Sequence, residues 1–542
     1  MELITAQTLW KDFDLRGLPL DETVLSTEIK EHYTVKYIYF NGEATTDGCA
    51  RVFAQLYTPA SIPTGASIVI MNDVSQPFDT LYVDFLCESG FTVLVVDYAG
   101  KRENGKYTIY PESMNYANFF GAEGGYRLPK TIEEVKNSAI KAYAVVMARA
   151  FVYLENQEGL DKSKIALMGV RRGSPQVFLA SFLVPEACGA VSLFNYNSVS
   201  DIDITSPDAT LYNTCLSPSS YVSITKVPTY IVEGSNNSDD SLFYNNLLFK
   251  GASEICRFYV AEHSDLTLLP FQRKSIMAFL NAMAFSHSFS LPKSPTIDAI
   301  CSEHSLYYVA TIDKPEKMEK SKILYFYGKE RGAYRNWMKL HIDRVNEGEH
   351  IAKAPVFLAK EDAHAFVSVI YGNGFIVSSE IFSKIPALLG VTNEEIVRSR
   401  LVYDVEMGAE WWFIRNIHGM GEISIEETES GICGVTSSVN VLTSLKIGDI
   451  NTRGERDNSL QLLIYSEQKQ DISIEVTCRN GGNNYVAYSC LKRPQSNGEW
   501  SKITISPDEL RSENGVMRGW DDAVGITINS ENKLLINSLL WI

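Results

Sequence analysis

The chain has 542 residues, 45% of them hydrophobic and 11% aromatic, which at about 150 residues per domain predicts roughly three or four domains with their own cores. It carries 49 basic and 66 acidic residues and a net charge of -17, which argues against nucleic acid or an anionic membrane as a partner. Neutral substrates suit this charge better. The composition leaves the oligomeric state open.

The start of the chain has neither the basic nor the apolar segment of a secretion leader, and no later apolar run approaches the roughly 18 residues of a membrane span. We therefore expect a cytoplasmic protein, with export left open if the chain has been shortened. Nine cysteines are scattered without a C-x-x-C pair, which predicts reduced thiols. No cofactor and no metal site is expected, and the acidic segment 449–457 is only a weak calcium candidate.

Residues 33–57 predict two long antiparallel strands with a turn near residue 42. After them, continuous apolar runs alternate with helical patterns, as in parallel strands covered on both faces. The runs lie at 67–71, 91–97, 164–168, 189–194, 227–234 and 256–260, and the helical patterns at 80–88, 133–154, 174–183 and 272–285. This alternation predicts a doubly wound α/β domain over residues 1–290.

Residues 290–295, Ser-Leu-Pro-Lys-Ser-Pro, have the composition of a linker, and the helical period disappears after them. Closely spaced strand patterns over 296–391 predict a small β-sandwich domain. Residues 392–542 are again all-β, beginning with a strand candidate at 411–414, and their number of strands favours a jelly roll.

A five-residue turn, Gly169-Val170-Arg171-Arg172-Gly173, joins the strand at 164–168 to the helix at 174–183. The layout is that of a nucleophile elbow, in which a strained G-x-S-x-G turn holds a serine hydroxyl clear of the sheet. Here an arginine stands at the serine position. A guanidinium with a pKa above about 12 cannot act as the nucleophile of acyl transfer. The turn therefore predicts hydrolase architecture without serine-dependent chemistry.

Residues from about 30 to 288 resemble bacterial α/β-hydrolases of the acetyl-xylan-esterase and dienelactone-hydrolase type. The resemblance rests on the strand order, the elbow frame, the Ser-Pro-Ser-Ser-Tyr segment at 217–221 and the Glu-His pair at 262–263. Residues 499–505 and the closing strand look like the jelly roll of a carbohydrate-binding module. The two resemblances imply a glycan context and a small-molecule or carbohydrate ligand. Six aromatic residues there are candidate platforms for sugar rings: Trp411, Trp412, Tyr485, Tyr488, Trp500 and Trp520.

The resemblance implies a catalytic triad whose histidine falls on His263. Its acid would follow the strand that ends at Gly234, where Asn237 now stands, with Asp239 just beyond. An amide at this place favours the wrong imidazole tautomer, and a comparable exchange in a serine protease costs about 10⁴ in turnover. Asp239 or the adjacent Asp240 would restore an acid.

Charged residues surround the expected pocket. The oxyanion hole would use the backbone N–H of Arg172 and one from the loop that contains Asp73, whose carboxylate is unsuited to a developing oxyanion. Two arginines at a helix N-terminus face the positive end of its dipole. We expect Arg171 or Arg172 to pair with Asp73, Asp97 or Glu262, or to bind an anionic ligand.

The residues together favour an esterase-like pseudoenzyme that binds a ligand or a partner. Two alternatives stay open. One is a non-catalytic glycan-binding or scaffold protein, and the other is an active ester hydrolase with a displaced nucleophile, for which Ser174 is the nearest hydroxyl.

Overall fold

The computed structural model describes residues 4–60, 63–100, 105–114, 128–196, 209–286, 291–328, 332–344, 346, 348–415, 421–481, 484–494 and 498–542. Its α-helices are α1 (Ala6–Leu9), α2 (Leu81–Glu88), α3 (Ile132–Lys136), α4 (Ala139–Glu155), α5 (Ser174–Leu183), α6 (Thr210–Cys215), α7 (Ser219–Val222), α8 (Leu242–Lys250) and α9 (Pro270–Phe285). Within these ranges, the helices are too short or too polar to cross a membrane.

The strands fall into three groups along the chain. The first group is β1 (Thr23–Ile29), β2 (Tyr33–Thr45), β3 (Gly48–Pro59), β4 (Ser67–Met71), β5 (Thr92–Val96), β6 (Ile165–Val170), β7 (Gly189–Leu193), β8 (Thr229–Gly234) and β9 (Arg257–Ala261). The second is β10 (Thr296–Ser302), β11 (Ser305–Thr311), β12 (Met318–Tyr327), β13 (Met338–Lys339), β14 (Asp343–Arg344), β15 (Glu349–Ala354), β16 (Ala363–Tyr371), β17 (Ile376–Ser378) and β18 (Phe382–Lys384). The third is β19 (Leu401–Asp404), β20 (Ile423–Glu427), β21 (Cys433–Ser437), β22 (Val441–Ser444), β23 (Leu460–Ser466), β24 (Ile472–Arg479), β25 (Tyr485–Lys492), β26 (Glu499–Ile505), β27 (Arg511–Ser512), β28 (Gly515–Val516), β29 (Ala523–Ser530) and β30 (Leu535–Trp541).

The first nine strands form one sheet in the order β1-β2-β3-β5-β4-β6-β7-β8-β9. β4 to β9 run parallel to one another, and β1 to β3 form an antiparallel extension. In β4, Ile68 and Ile70 pack in the same apolar cluster as α2 and α9, whereas Val69 and Met71 pack with α4 and α5. Because helices cover both faces, the strand needs apolar residues at successive positions. The predicted doubly wound sheet is confirmed.

The helix predicted over 133–154 is divided into α3 and α4. Ser138 lies between them in an extended conformation, and its hydroxyl accepts a hydrogen bond from the Lys141 N–H at 3.2 Å. A serine in this position satisfies an N–H that the new helix leaves unpaired. The prediction of one continuous helix is therefore wrong at the capping residue.

Two antiparallel sandwiches follow the α/β sheet. The middle sandwich, β10 to β18, has the sheets β10-β11-β15-β14 and β13-β12-β16-β17, with β18 also paired to β16. The C-terminal sandwich, β19 to β30, has the sheets β20-β21-β30-β23-β26, with β19 paired to β30, and β22-β29-β24-β25-β27-β28. These antiparallel sheets confirm the all-β prediction. Domain boundaries near residues 290 and 392 remain a proposal.

The prediction of a strand over residues 411–414 is wrong. Residues Ala409–Trp411 form a 3₁₀ turn after Gly408, which has a φ of 94°, and the Trp412 N–H donates back to the Ala409 carbonyl. Only Phe413 pairs in a β-bridge, with Thr443. The glycine redirects the chain before an extended segment can form.

The middle sandwich shares an apolar core with the α/β sheet. The Tyr230 hydroxyl of β8 donates to the Ile376 carbonyl at 2.6 Å, and the Ile376 N–H donates to Ser275 Oγ at 2.8 Å. The Val260 N–H of β9 donates to Ser378 Oγ at 3.0 Å. β17 thus packs against β9, so the two parts of the chain are joined by core contacts as well as by a linker.

Candidate active site at the strand-to-helix turn

The turn between β6 and α5 has the backbone of a nucleophile elbow. β6 ends at Val170, Arg171 adopts a φ of 50°, and α5 begins at Ser174. A non-glycine residue at positive φ costs roughly 1–2 kcal/mol, and backbone strain of this kind is found where neighbouring structure holds it in place. The strained position of the elbow is present, with an arginine in it.

Two glycines make the turn sterically possible. A Cβ atom on Gly169 would lie 2.5 Å from the Gly173 carbonyl oxygen, and one on Gly173 would lie 2.0 Å from the Met71 carbonyl oxygen. No larger residue fits without moving the backbone. The glycine frame is therefore required by the close approach of β4, β6 and α5, whatever side chain occupies the centre of the turn.

Arg171 is held between two carboxylates. Its Nη2 donates to Asp239 Oδ2 at 2.9 Å, and its Nε lies 3.7 Å from Asp73 Oδ2. Asp73 is further held because its Oδ1 accepts hydrogen bonds from the Ser75 N–H at 2.9 Å and the Ser75 hydroxyl at 2.7 Å. The Arg171 side chain is 30% exposed and that of Asp73 10%. The charge of Arg171 is thus compensated by a carboxylate on each side of it.

The other charged residues expected here have different surroundings. The guanidinium of Arg172 lies 5.1 Å from the ring centroid of Tyr196, a cation–π distance. Asp97 is fully buried, and its Oδ2 accepts a hydrogen bond from the Thr108 N–H at 2.6 Å. Glu262 forms an ion pair with Lys322. Among the described residues, Arg171 therefore forms its ion pairs with Asp73 and Asp239, and the pairing expected with Glu262 is replaced by one with Lys322.

Asn237 belongs to a buried polar network under the loop that follows β8. Its Nδ2 donates to Glu233 and, at 2.8 Å, to Ser241 Oγ, and its Oδ1 accepts a hydrogen bond from the Asp239 N–H at 2.7 Å. Glu233 also accepts hydrogen bonds from Ser241 and Asn245. Burial raises the pKa of Glu233 to about 7, although these hydrogen bonds oppose the shift. The sequence contained no pattern that identified Glu233 as the centre of this network.

The middle sandwich holds the same loop from the other side. Asn236 Nδ2 donates to the carbonyl oxygens of Arg335, at 2.8 Å, and Gly332, at 3.2 Å. Trp337 Nε1 donates to the Ser235 carbonyl at 3.0 Å. Arg335 also forms an ion pair with Asp240. Residues that are 95 to 102 positions away in the chain therefore hold the loop that contains Asn237 and Asp239.

His263 lies against the C-terminal sandwich. Its backbone has a φ of 48°, and its N–H donates to Ser235 Oγ at 2.8 Å. Its ring is nearly parallel to that of Phe413, with the centroids 6.1 Å apart. Burial lowers the pKa of the imidazole. Within the described residues, the ring makes no hydrogen bond with Asp239 or Asn237. A catalytic role for His263 remains a prediction.

Ser174, the nearest alternative hydroxyl, is fully buried in the first turn of α5. Its Oγ lies 2.6 Å from Ser192 Oγ of β7, so the two hydroxyls share a hydrogen bond. A nucleophile must reach the substrate carbonyl, and this hydroxyl faces the inside of the protein. The geometry does not present Ser174 to a ligand.

Several of the aromatic residues proposed as sugar platforms have structural contacts. Trp412 and Trp520 are buried in the C-terminal core. The Tyr485 ring stacks on Tyr334 of the middle sandwich with centroids 4.0 Å apart, and Lys446 Nζ lies 3.9 Å from the ring centroid of Trp411.

In the part of the chain that the structure describes, no three His, Cys, Asp or Glu side chains are grouped as a metal site.

No protein-family model matches the chain, and no curated protein matches it. Among solved structures, it is similar to acetyl xylan esterase 1 from Thermoanaerobacterium sp. JW/SL YS485, with 13% identity, a TM-score of 0.38 and coverage of 49% of this chain and 89% of that one. It is also similar to the acetyl xylan esterase from Paenibacillus sp. R4, with 16% identity, a TM-score of 0.39 and coverage of 51% of this chain and 92% of that one. A third similar structure is a glucuronoyl esterase from Solibacter usitatus, with 13% identity, a TM-score of 0.35 and coverage of 52% of this chain and 95% of that one. The strand order of the sheet, the helices on both of its faces and the elbow turn place residues 33–285 in the α/β-hydrolase fold.

Proposed function

We propose that the α/β-hydrolase-fold part of this protein does not hydrolyse esters through a serine nucleophile and that the protein acts by binding a ligand or a partner. The main support is the ion pair between Arg171, at the strained elbow position, and Asp239, at 2.9 Å. A guanidinium does not lose its proton in a protein and does not form an acyl intermediate that water can release. The fold's usual reaction therefore lacks its first step.

The surroundings of the elbow support the same proposal. A triad acid has to orient the histidine, but Asp239 is engaged with Arg171 and Asn237 donates to Glu233. The His263 imidazole stacks on Phe413 instead of forming a hydrogen bond with either residue. Restoring a hydroxyl at the elbow in place of Arg171 would release Asp239, but the imidazole of His263 would still lie on Phe413, so we expect the hydroxyl to lack an oriented base.

A second candidate function is a scaffold or glycan-binding protein in which the α/β part is only structural. The observation that favours it is the way in which the middle sandwich holds the loop after β8, through Asn236, Trp337 and the ion pair between Arg335 and Asp240. These contacts make the loop part of the interface with the middle sandwich, which is a structural role that needs no ligand. The two candidates differ in whether the elbow region binds a ligand.

The test is to compare the unmodified protein with Arg171→Ser and Arg172→Ser variants. Each is treated with a serine-reactive fluorophosphonate probe and assayed on aryl acetates and acetylated xylan. We expect no labelling and no turnover in any of them, because the serine in Arg171→Ser has no oriented base. Arg172→Ser is the matched control, since it removes a neighbouring guanidinium outside the nucleophile position.

Labelling or turnover by the unmodified protein would contradict the proposal. Turnover by Arg171→Ser alone would leave the proposal intact but would mean that a base reaches the elbow. If the protein is instead an active hydrolase with a displaced nucleophile, the fluorophosphonate probe should label the unmodified protein and both the Arg171→Ser and Arg172→Ser variants. A Ser174→Ala variant then tests the nearest hydroxyl, which is bonded to Ser192.

A further inference from the structure

A cleft of about 420 Å³ lies between the middle and C-terminal sandwiches. Asn336, Leu358 and Glu361 line it from the middle sandwich, and Asp449, Arg453 and Arg479 line it from the C-terminal sandwich. Its volume falls in the range of about 300–1,000 Å³ that small-molecule sites occupy. Its lining residues lie outside the elbow, so this site differs from the one described above.

Aromatic and charged contacts between the two sandwiches fix the distance between the walls of the cleft. The rings of Tyr334 and Tyr485 stack with their centroids 4.0 Å apart, and the guanidinium of Arg415 lies 4.9 Å from the Tyr334 centroid. Lys339 Nζ and Glu410 Oε1 are 3.4 Å apart across the same pair of sandwiches. A cleft built in this way exists before a ligand enters, which lowers the entropy cost of binding.

The polar lining is balanced in charge. Two carboxylates, Glu361 and Asp449, face the same cleft as two guanidiniums, Arg453 and Arg479. Arg453 is held in place because its Nη2 donates to the Gly448 carbonyl at 2.6 Å. With the opposite charges equal in number, the lining offers both donors and acceptors without a net attraction for an ion.

Apolar surface completes the cleft. Leu358 is 43% exposed, and it lines the cleft together with Phe357 and Met338. Such a surface accepts the C–H face of a ring, while nearby planar polar groups bind the substituents at its edge.

We propose that this interdomain cleft binds a short neutral oligosaccharide. Each sugar hydroxyl both donates and accepts a hydrogen bond. Carboxylates accept, guanidiniums donate in pairs, and the amide of Asn336 does both, so the lining matches vicinal hydroxyls. A strongly charged ligand would leave one pair of the cleft's own charges uncompensated. The inference does not depend on the proposed loss of ester hydrolysis, and it gives the glycan-binding alternative a specific site away from the elbow.

The experiment measures binding to the full chain by isothermal titration calorimetry. The probes are the tetrasaccharides of xylose, glucose in β-1,4 and in α-1,4 linkage, and mannose, with tetragalacturonic acid as the charged counterpart. We expect one neutral tetrasaccharide to bind with a Kd below about 1 mM. Asn336→Ala and Glu361→Gln should each weaken it about tenfold, because each removes hydrogen bonds to hydroxyls.

Leu358→Trp is the blocking variant. Because Leu358 is partly exposed, the larger ring has room to fold into the cleft and should abolish binding without unfolding the protein, which a melting curve checks. Glu429→Gln, an exposed glutamate that does not line the cleft, is the matched control and should bind normally. Absence of binding to every neutral tetrasaccharide, tighter binding of tetragalacturonic acid, or unchanged binding by Leu358→Trp would each overturn the proposal.

Discussion

The elbow turn and the loops after β8 and β9 belong to one edge of the α/β sheet, but different forces determine their structures. The elbow is defined by steric fit, since Gly169 lies against the backbone of its own turn and Gly173 against that of β4, with contacts that no other residue allows. The loops after β8 and β9 are defined by distant partners, which include Arg335 and Trp337 for the first and Phe413 for the second. A turn can therefore keep its catalytic shape while the residues around it change their contacts.

The largest effect is expected at the elbow itself. Gly173→Ala places a methyl group 2.0 Å from the Met71 carbonyl oxygen, and the turn has to move. We expect a loss of about 3 kcal/mol in unfolding free energy, measured by urea denaturation. Gly372→Ala is the control, since no atom lies within 4 Å of its Cβ position. Equal stability of the two variants would mean that the frame is not a steric requirement.

The pH dependence of stability tests the network under the β8 loop. The pKa of Glu233 is about 7 in the folded protein and near 4.5 when exposed, so the folded state binds the proton more tightly. Its contribution to stability is complete below pH 4.5 and is lost as the pH rises through 7, a change on the order of 3 kcal/mol.

Glu233→Gln should remove that part of the pH dependence, because glutamine mimics the protonated acid and does not titrate. The measurement is the urea midpoint of both proteins between pH 4.5 and 8. A parallel loss of stability in the two proteins would assign the effect to other groups.

A smaller effect is expected from Trp337→Phe, which tests the distant support of the β8 loop. The change leaves the Ser235 carbonyl without the indole N–H that donates to it at 3.0 Å. We expect a loss of about 2 kcal/mol in unfolding free energy and faster amide exchange in residues 235–240. Hydrogen–deuterium exchange measures the second effect. If exchange accelerates equally in the elbow turn, the two regions are not independently supported.

The smallest effect is expected from Asp239→Asn, which removes the charge that pairs with Arg171. Both side chains are partly buried, at 24% and 30% exposure, and we expect a loss of about 1 kcal/mol. The pair between Arg493 and Asp471 is more exposed, at 73% and 41%, so Asp471→Asn should cost less. A larger loss for Asp471→Asn would contradict the role given to burial.

The parallel strands of the α/β sheet were predictable because helices on both faces demand continuous apolar residues, as in β4 and β5. β1 was missed because all seven of its residues are exposed, so no apolar alternation marks it. The elbow was predictable from its glycine spacing. Glu233 was not, since nothing adjacent in the chain indicates that Asn237, Ser241 and Asn245 converge on it.

The amino-acid sequence by itself determined the parallel strands of the α/β sheet, the all-β character of the residues after them, the elbow turn and the absence of a serine from it. These features depend on periodicity and on residues close together in the chain. Only the tertiary structure decided that Arg171 pairs with Asp239, that His263 lies on Phe413 and that a cleft opens between the two sandwiches. Each of these joins residues far apart in the chain, and their approach depends on how the sheets pack.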